Sequence, residues 1–320
     1  MIYCKENIVH VKHRLCGIHA ATVAPLKSDY SVDHNTLEKH IADIYSINGI
    51  EGFLINGHAG ENPQLSMEEK TDVIKTVYEV VSRDAYITSG VYSENTLEAV
   101  KAAENAEHAG ADALLIFPPN AWALGQERKT IVAHHEAISN ATELPLLLYQ
   151  APVFSGQMAY DIGTLLELSG IDNVIGVKEG SWEIARYDAN HRALKSEDPQ
   201  FIVLGSGDEH LLVSYMMGSE GSQVSLAAVI PEMVVALWNA ADLEDWSKAK
   251  RLHNLIYPIS TAIYGSAPVG RANARLKACL KILGKLPSDL MRPPTQPLPV
   301  EEYKILESAL DFAREGFELL

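Results

Sequence analysis

Two short runs, LPLLLYQ at Leu144–Gln150 and VIGVKEG at Val174–Gly180, decide the fold. Each is a handful of apolar residues that ends on polar or glycine positions. Together they recur at a spacing of roughly 30 residues, the length of one strand plus one helix. A short, continuously apolar run bounded by turn residues reads as a parallel strand buried on both faces and entering a loop. Working outward, the same pattern returns as GIHAATV near Gly17, GFLING near Gly52, AYITSGV near Ala85, ALLIF near Ala113, FIVLGSG near Phe201 and GSQVSL near Gly221.

Between the runs lie helical stripes: Leu37, Ile41, Ile44 and Tyr45; Ile74, Val77 and Val81; Leu97, Val100, Ala103 and Ala106. Ser66 ahead of Met67-Glu68-Glu69 forms a capping box, and Asn95 ahead of Thr96-Leu97-Glu98 is a similar start. Strands alternating with helices predict an α/β fold, a (β/α)8 TIM barrel, in preference to an open doubly wound sheet. The latter would more often place GxGxxG after the first strand, where this chain reads Thr22-Val23-Ala24-Pro25. After Ser225 the strand signals stop. Val229–Ala241, Trp246–Tyr257, Arg271–Leu283 and Val300–Phe317 read as helices. The expected organisation is a barrel over residues 1–244 and a C-terminal helical extension over 245–320.

The chain has 320 residues, 47% of them apolar and 21% charged, enough to fill a core and against disorder. The most apolar window, Ser225–Ala241, is interrupted by Pro231, Glu232 and Asn239, so no membrane span is expected. A net charge of −16 repels phosphate backbones and disfavours a nucleic-acid partner. Cys4, Cys16 and Cys279 are scattered, with no CxxC or Cys/His cluster, so neither a zinc site nor a disulfide framework is indicated. Met1–Glu6 lacks an apolar leader core, which suggests a cytoplasmic protein.

In such a barrel chemistry sits at the C-terminal ends of the strands. Lys178 ends its run and shares a strand face with Gly176. Facing the interior, its amine would be desolvated and its pKa drawn down, which makes it a nucleophile toward carbonyls. Facing out, it would be an ordinary solvated lysine. Tyr149 ends the preceding strand and would stand beside it, either as a proton carrier or as a packed aromatic. Gly57-His58-Ala59-Gly60-Glu61 is either a plain βα turn or a loop whose N–H groups converge on a carboxylate. His134-His135 and Trp122 are read as structural, Trp122 at the barrel rim or in a subunit contact.

These residues carry a resemblance. Thr22-Val23-Ala24-Pro25 with Val32-Asp33, Gly57-His58-Ala59-Gly60-Glu61, Tyr149-Gln150-Ala151-Pro152, Gly176-Val177-Lys178-Glu179 and Ser206-Gly207-Asp208-Glu209 stand in order at strand ends. The set resembles the dihydrodipicolinate synthase/N-acetylneuraminate lyase family of pyruvate-dependent class I aldolases, from Gly17 almost to the C-terminus. The resemblance implies a Schiff-base lyase or aldolase. Lys178 would form an imine with pyruvate or another 2-oxo acid, Tyr149 would move protons, and the loop from Gly57 to Gly60, through the amides of His58 and Ala59, would hold the carboxylate. Gly207, Asp208, Glu209, Ser225 and Phe154 would meet the aldehyde partner, for which a sugar-acid derivative is one candidate. It implies no metal and no organic cofactor, and a homo-oligomer, tetramer or dimer.

The chain departs from the family pattern at several places. Phe154 stands where the lysine-pathway synthases carry a carboxylate-binding arginine, and Pro118-Pro119-Asn120 replaces their Pro-Tyr-Tyr. The sialic-acid lyases carry an apolar residue at the Phe154 place, but Lys178-Glu179-Gly180-Ser181 lacks their threonine after the lysine. His58 replaces a usual hydroxyl. Its imidazole, with an ordinary pKa near 6.5, could serve as the proton link to Tyr149 and give a pH step near neutrality. The leading reading is therefore a lyase of this family. The alternatives are 4-hydroxy-tetrahydrodipicolinate synthase, which Phe154 disfavours, and a non-catalytic barrel that binds 2-oxo acids.

Overall fold

The computed structural model describes residues 13–320, so the readings on Cys4 and on Met1–Glu6 lie outside the described residues. Eight strands, β1 (Gly17–Ala21), β2 (Ile50–Ile55), β3 (Tyr86–Val91), β4 (Ala113–Ile116), β5 (Leu146–Gln150), β6 (Val174–Glu179), β7 (Ile202–Gly205) and β8 (Gly221–Val224), close a barrel in chain order. The pairing β1–β8, Gly17↔Gly221 through Ala20↔Val224, is parallel like the rest. Every apolar run of the sequence thus becomes a strand.

Alternation sorts the strand residues into two layers. Leu115, Leu147, Tyr149, Ile202 and Leu204 belong to one buried cluster, which fills the barrel. Leu114, Leu146, Leu148 and Val203 belong to the larger one, between strands and helices. That is the period of two expected of a pleated strand.

The outer layer begins with α1 (His34–Tyr45), α2 (Met67–Val81), α3 (Thr96–Ala109), α4 (Arg128–Ser139), α5 (Ile162–Ser169), α6 (Ile184–Glu197) and α7 (Leu211–Met216). The capping box of α2 is complete: the Glu69 amide donates to Ser66 Oγ at 3.2 Å and the Ser66 amide to the Glu69 carboxylate at 2.9 Å. Asn95 caps α3 through the Glu98 amide at 2.9 Å. One stripe needs correcting. Ala103 and Ala106 are buried as expected and Val100 partly so, but Leu97 is 76% exposed, and Ala99, Ala102 and Ala109 complete the buried face of α3. A face made of alanines lets the helix lie close to the barrel, and Leu97 falls off its edge.

The remaining helices are α8 (Leu226–Val229), α9 (Pro231–Asp242), α10 (Trp246–Ser260), α11 (Ala272–Ile282) and α12 (Val300–Glu318). The helix expected from Val229 onward is broken at Ile230, because Pro231 disfavours a helical residue before it and opens the next helix at its first position. Leu252, Ile256, Leu306 and Leu310 join the same apolar cluster as the barrel's outer layer. We therefore propose the boundary near residue 244 as a change of architecture within one core. None of the helices among the described residues is long and apolar enough to cross a membrane.

Candidate active site

β5 and β6 are adjacent, and their register pairs Tyr149 with Lys178 directly. Lys178 is half-buried at the mouth. Its interior direction follows from Gly176, two residues earlier, whose neighbours are Leu147 and Ile202 of the barrel filling. Burial draws the Lys178 amine below the ordinary lysine value, and the Asp208 carboxylate pulls partly the other way. Glu179 points to the opposite face. Its carboxylate accepts from Ser181 Oγ at 3.0 Å and from Asn190 Nδ2 of α6 at 2.9 Å, which pins the end of the strand that presents the lysine.

Tyr149 is buried, with Phe117 at 4.8 Å and His58 edge-on at 5.1 Å between ring centroids. Burial, and then the Glu179 charge, raises its phenol above the ordinary value, so it holds its proton at neutral pH. The His58 ring lies on Phe117 at 4.3 Å with 31° between planes, and remains exposed to the solvent of the mouth. The surrounding protein, and then the Lys178 ammonium, lowers the imidazole below 6.5; its open face limits the first effect. His58 therefore stands beside Tyr149 as the sequence suggested, but any pH step it causes lies on the acid side of neutrality.

The loop after β2 runs Gly57-His58-Ala59-Gly60 into Glu61. The Asn62 amide donates to the Gly57 carbonyl at 3.2 Å and the Glu61 amide to the His58 carbonyl at 3.0 Å. The amides of His58 and Ala59 have no acceptor within the described chain.

Asp208 follows β7 and is buried. The Leu226 amide of α8 donates to its Oδ1 at 3.1 Å. Burial raises its carboxyl above the usual range, and the Lys178 charge counters that. Neighbouring Glu209 is raised to about 7, by burial and by the Asp208 charge. At Gly207 a Cβ would fall 2.1 Å from the His210 ring, so the His210 side chain would have to move aside for any other residue. Ser225 follows β8, with its hydroxyl bonded to the Tyr264 hydroxyl of the C-terminal extension.

Phe154 is not brought into this cluster. The Ser155 amide closes a turn on the Pro152 carbonyl at 2.8 Å, and Phe154 is carried to the rim, 70% exposed. Trp122, by contrast, is no rim residue. It is buried under its loop, edge-on to His134 at 5.3 Å, with the His135 ring at 6.3 Å. Both histidines thus reach one aromatic side chain although they are adjacent in sequence. Their partners, Thr96 Oγ1 at 2.9 Å and the Ile131 carbonyl at 2.8 Å, are structural.

Sequence reasoning gave no role to Phe117, the wall that holds His58 and Tyr149 together. It also passed over Trp182, which sits at φ 59°, an uncommon conformation for a bulky residue. Trp182 donates from Nε1 to the Ser206 carbonyl at 3.2 Å and packs edge-on against Tyr264 at 5.3 Å. A strand-end aromatic and a tryptophan in a loop have no distinguishing sequence pattern.

Comparison with known proteins adds a second line. Residues 14–313 match the dihydrodipicolinate synthetase family. The 4-hydroxy-tetrahydrodipicolinate synthase of Bifidobacterium longum is 32% identical over 275 residues, 86% of each chain. That of Methanococcoides burtonii is 30% identical over 297 residues, 92% of this chain and 97% of its own. Among solved structures, the dihydrodipicolinate synthase of Acinetobacter baumannii complexed with pyruvate superposes with a TM-score of 0.83. It is 27% identical, over 94% of this chain and 99% of its own.

Proposed function

The chain belongs to the dihydrodipicolinate synthetase family, and from that premise we propose that it is a Schiff-base lyase, or aldolase, acting on pyruvate or a related 2-oxo acid and an aldehyde. One observation carries the reading: an inward lysine with a lowered amine pKa pairs across adjacent strands with a buried, protonated tyrosine.

The steps follow from those groups. The free Lys178 amine adds to the ketone carbon, and the carbinolamine loses water to give the imine. The Tyr149 phenol donates the proton that lets hydroxide leave as water. The imine draws electrons from C3, so a proton leaves there and an enamine forms. C3 of the enamine then bonds to the aldehyde carbon, whose oxygen takes up a proton, and hydrolysis frees Lys178. Cleavage runs the same steps backwards. The amides of His58 and Ala59 would orient the substrate carboxylate. Asp208 and Glu209 suit the hydroxyls of a sugar-acid aldehyde, which can donate to them.

The names of the relatives favour a second reading, 4-hydroxy-tetrahydrodipicolinate synthase itself. Phe154 weighs against it, because a phenyl ring offers no bidentate partner to a second carboxylate. The Lys178–Tyr149 pair weighs against a merely binding barrel. We further propose a cytoplasmic homo-oligomer, tetramer or dimer. Leu124, 95% exposed, and Phe154 leave apolar surface on the loops after β4 and β5 that a second copy would cover.

Pyruvate with borohydride should modify Lys178 irreversibly, because reduction turns the imine into a stable secondary amine. Peptide mass mapping reads the result. No adduct, or an adduct on another lysine, refutes the mechanism.

A further inference from the structure

We infer that the C-terminal extension positions the carboxylate-holding loop, through the ion pair Glu61–Lys277 and the hydrogen bond from Asn273 to His58. The inference rests on the Schiff-base reading above and concerns how that site is held in place.

Glu61 closes the loop with φ 56° and a carboxylate buried to 3% exposure. Its partner is Lys277 of α11, at 0% exposure, whose ammonium also donates to the Leu290 carbonyl at 3.0 Å. One turn earlier on the same helix, Asn273 Nδ2 donates to the His58 carbonyl at 2.6 Å. Residues four apart share a helix face. So a single face of α11 grips the loop at His58 and again at Glu61. Beyond it, the Arg292 guanidinium donates to the Gln64 and Tyr30 carbonyls and to the Glu69 carboxylate, holding the segment that leads into α2.

Two observations point to placement over stability. Burying an ion pair is expensive, and apolar residues of similar volume often serve stability as well or better. The groups so held flank the amides of His58 and Ala59, which have no acceptor among the described residues. A carboxylate bound by amides needs them fixed to within a fraction of an ångström, and neither Gly57 nor Gly60 supplies a side chain to fix them. Lys277 and Asn273 are therefore positioning residues, and substrate meets the loop instead.

The test uses the full chain and borohydride trapping at Lys178, titrated with pyruvate and with hydroxyacetone, a ketone that has no carboxylate. The variants are the double substitution Glu61→Gln/Lys277→Met, which removes both charges together, and Asn273→Ala, which leaves the ion pair intact. Lys281→Met is the control: Lys281 stands one turn beyond Lys277 on α11, exposed, and pairs with Asp289 at 2.7 Å instead of with the loop. Half-saturating pyruvate should rise about tenfold in the double variant and about threefold in Asn273→Ala. Trapping at saturation should stay within about twofold, and the hydroxyacetone titration and the control should not move.

Should the double variant fail to fold by circular dichroism, Asn273→Ala decides. Pyruvate half-saturation unchanged in the folded variants overturns the inference, as does an equal shift for hydroxyacetone, which marks a general structural role. A wild type that traps pyruvate beside indifferent variants removes this inference and leaves the Schiff-base reading standing. A wild type that traps nothing removes both.

Discussion

Gly176→Ala tests whether the barrel interior under Lys178 is as tightly filled as its geometry implies. A Cβ at this position would lie 2.8 Å from the Ile202 carbonyl oxygen, 2.9 Å from Ile202 Cβ and 2.9 Å from Leu147 Cδ2. Ordinary contact begins about half an ångström further out. The oxygen is backbone held in the β6–β7 ladder, and Leu147 is fully buried, so neither can swing away. Strand β6 itself must move. Overpacking of this kind costs about 1–3 kcal/mol. For a chain of this size that lowers Tm by roughly 2–8 °C. Because Lys178 rides on the same strand face two residues on, trapping by pyruvate should also slow by about tenfold. Gly270→Ala is the companion, since nothing lies within 4 Å of the Cβ it would add. Thermal unfolding and the trapping rate are measured for both. If Gly176→Ala melts within about 1 °C of wild type and traps at the wild-type rate, the packing argument fails.

Three further outcomes follow from the charges of the mouth. Asp208→Asn removes the anion that pulls the Lys178 amine upward, so burial acts alone; the pH of half-maximal trapping should fall, and an unchanged or higher midpoint contradicts the pairing. His58 is lowered below 6.5 and so is neutral at pH 7. Deuterium exchange at pyruvate C3 should accordingly decline only as pH drops through that lowered value, and His58→Ala should slow exchange and abolish the acid-side step while trapping at Lys178 survives. A step at or above 6.5, or a variant with the wild-type profile, returns His58 to the status of a loop residue. With pyruvate and aspartate semialdehyde, kcat/KM should stay below about 10⁴ M⁻¹s⁻¹, the lower end of the ordinary enzymatic range. A higher value would identify the second reading as correct in spite of Phe154.

The strands were legible because each is a short apolar run cut off by turn residues, and the repeat of that pattern leaves few topologies. Lys178 and Tyr149 were legible because each ends such a run, where the fold places chemistry. What escaped reading depends on contacts between distant parts of the chain. Lys277 sits in a helix where a lysine ordinarily reads as solvated, and only the folded structure sets it against Glu61. Asn273 and His58 are 215 positions apart. The bond between the Ser225 and Tyr264 hydroxyls likewise joins residues 39 positions apart. Phe154 was read as a substrate-binding position, but the turn closed at Pro152 sends it to the rim, and no periodic pattern encodes that. Leu97 was misassigned because hydropathy favours leucine over the alanines that the packing uses.

Proton traffic links the loop, the phenol and the solvent. In the proposed mechanism Tyr149 must give up and regain protons in each turnover, yet burial makes its phenol a poor acid and nearly closes it to water. A group that exchanges protons with it has to touch both the phenol and the solvent. His58 is the proposed group: its ring is edge-on to the Tyr149 ring at 5.1 Å between centroids and exposed in the mouth. The two shifts run in opposite directions, so at neutral pH the proton rests on the phenol while the imidazole is neutral. A neutral imidazole has one nitrogen to accept and another to donate, as a relay requires. Phe117 holds the ring in that place without offering a competing hydrogen bond. In this proposal the hydroxyl-to-histidine departure on the loop would join the two tasks of the site. The amides of that loop would hold the substrate, and the side chain between them would connect the buried acid to water.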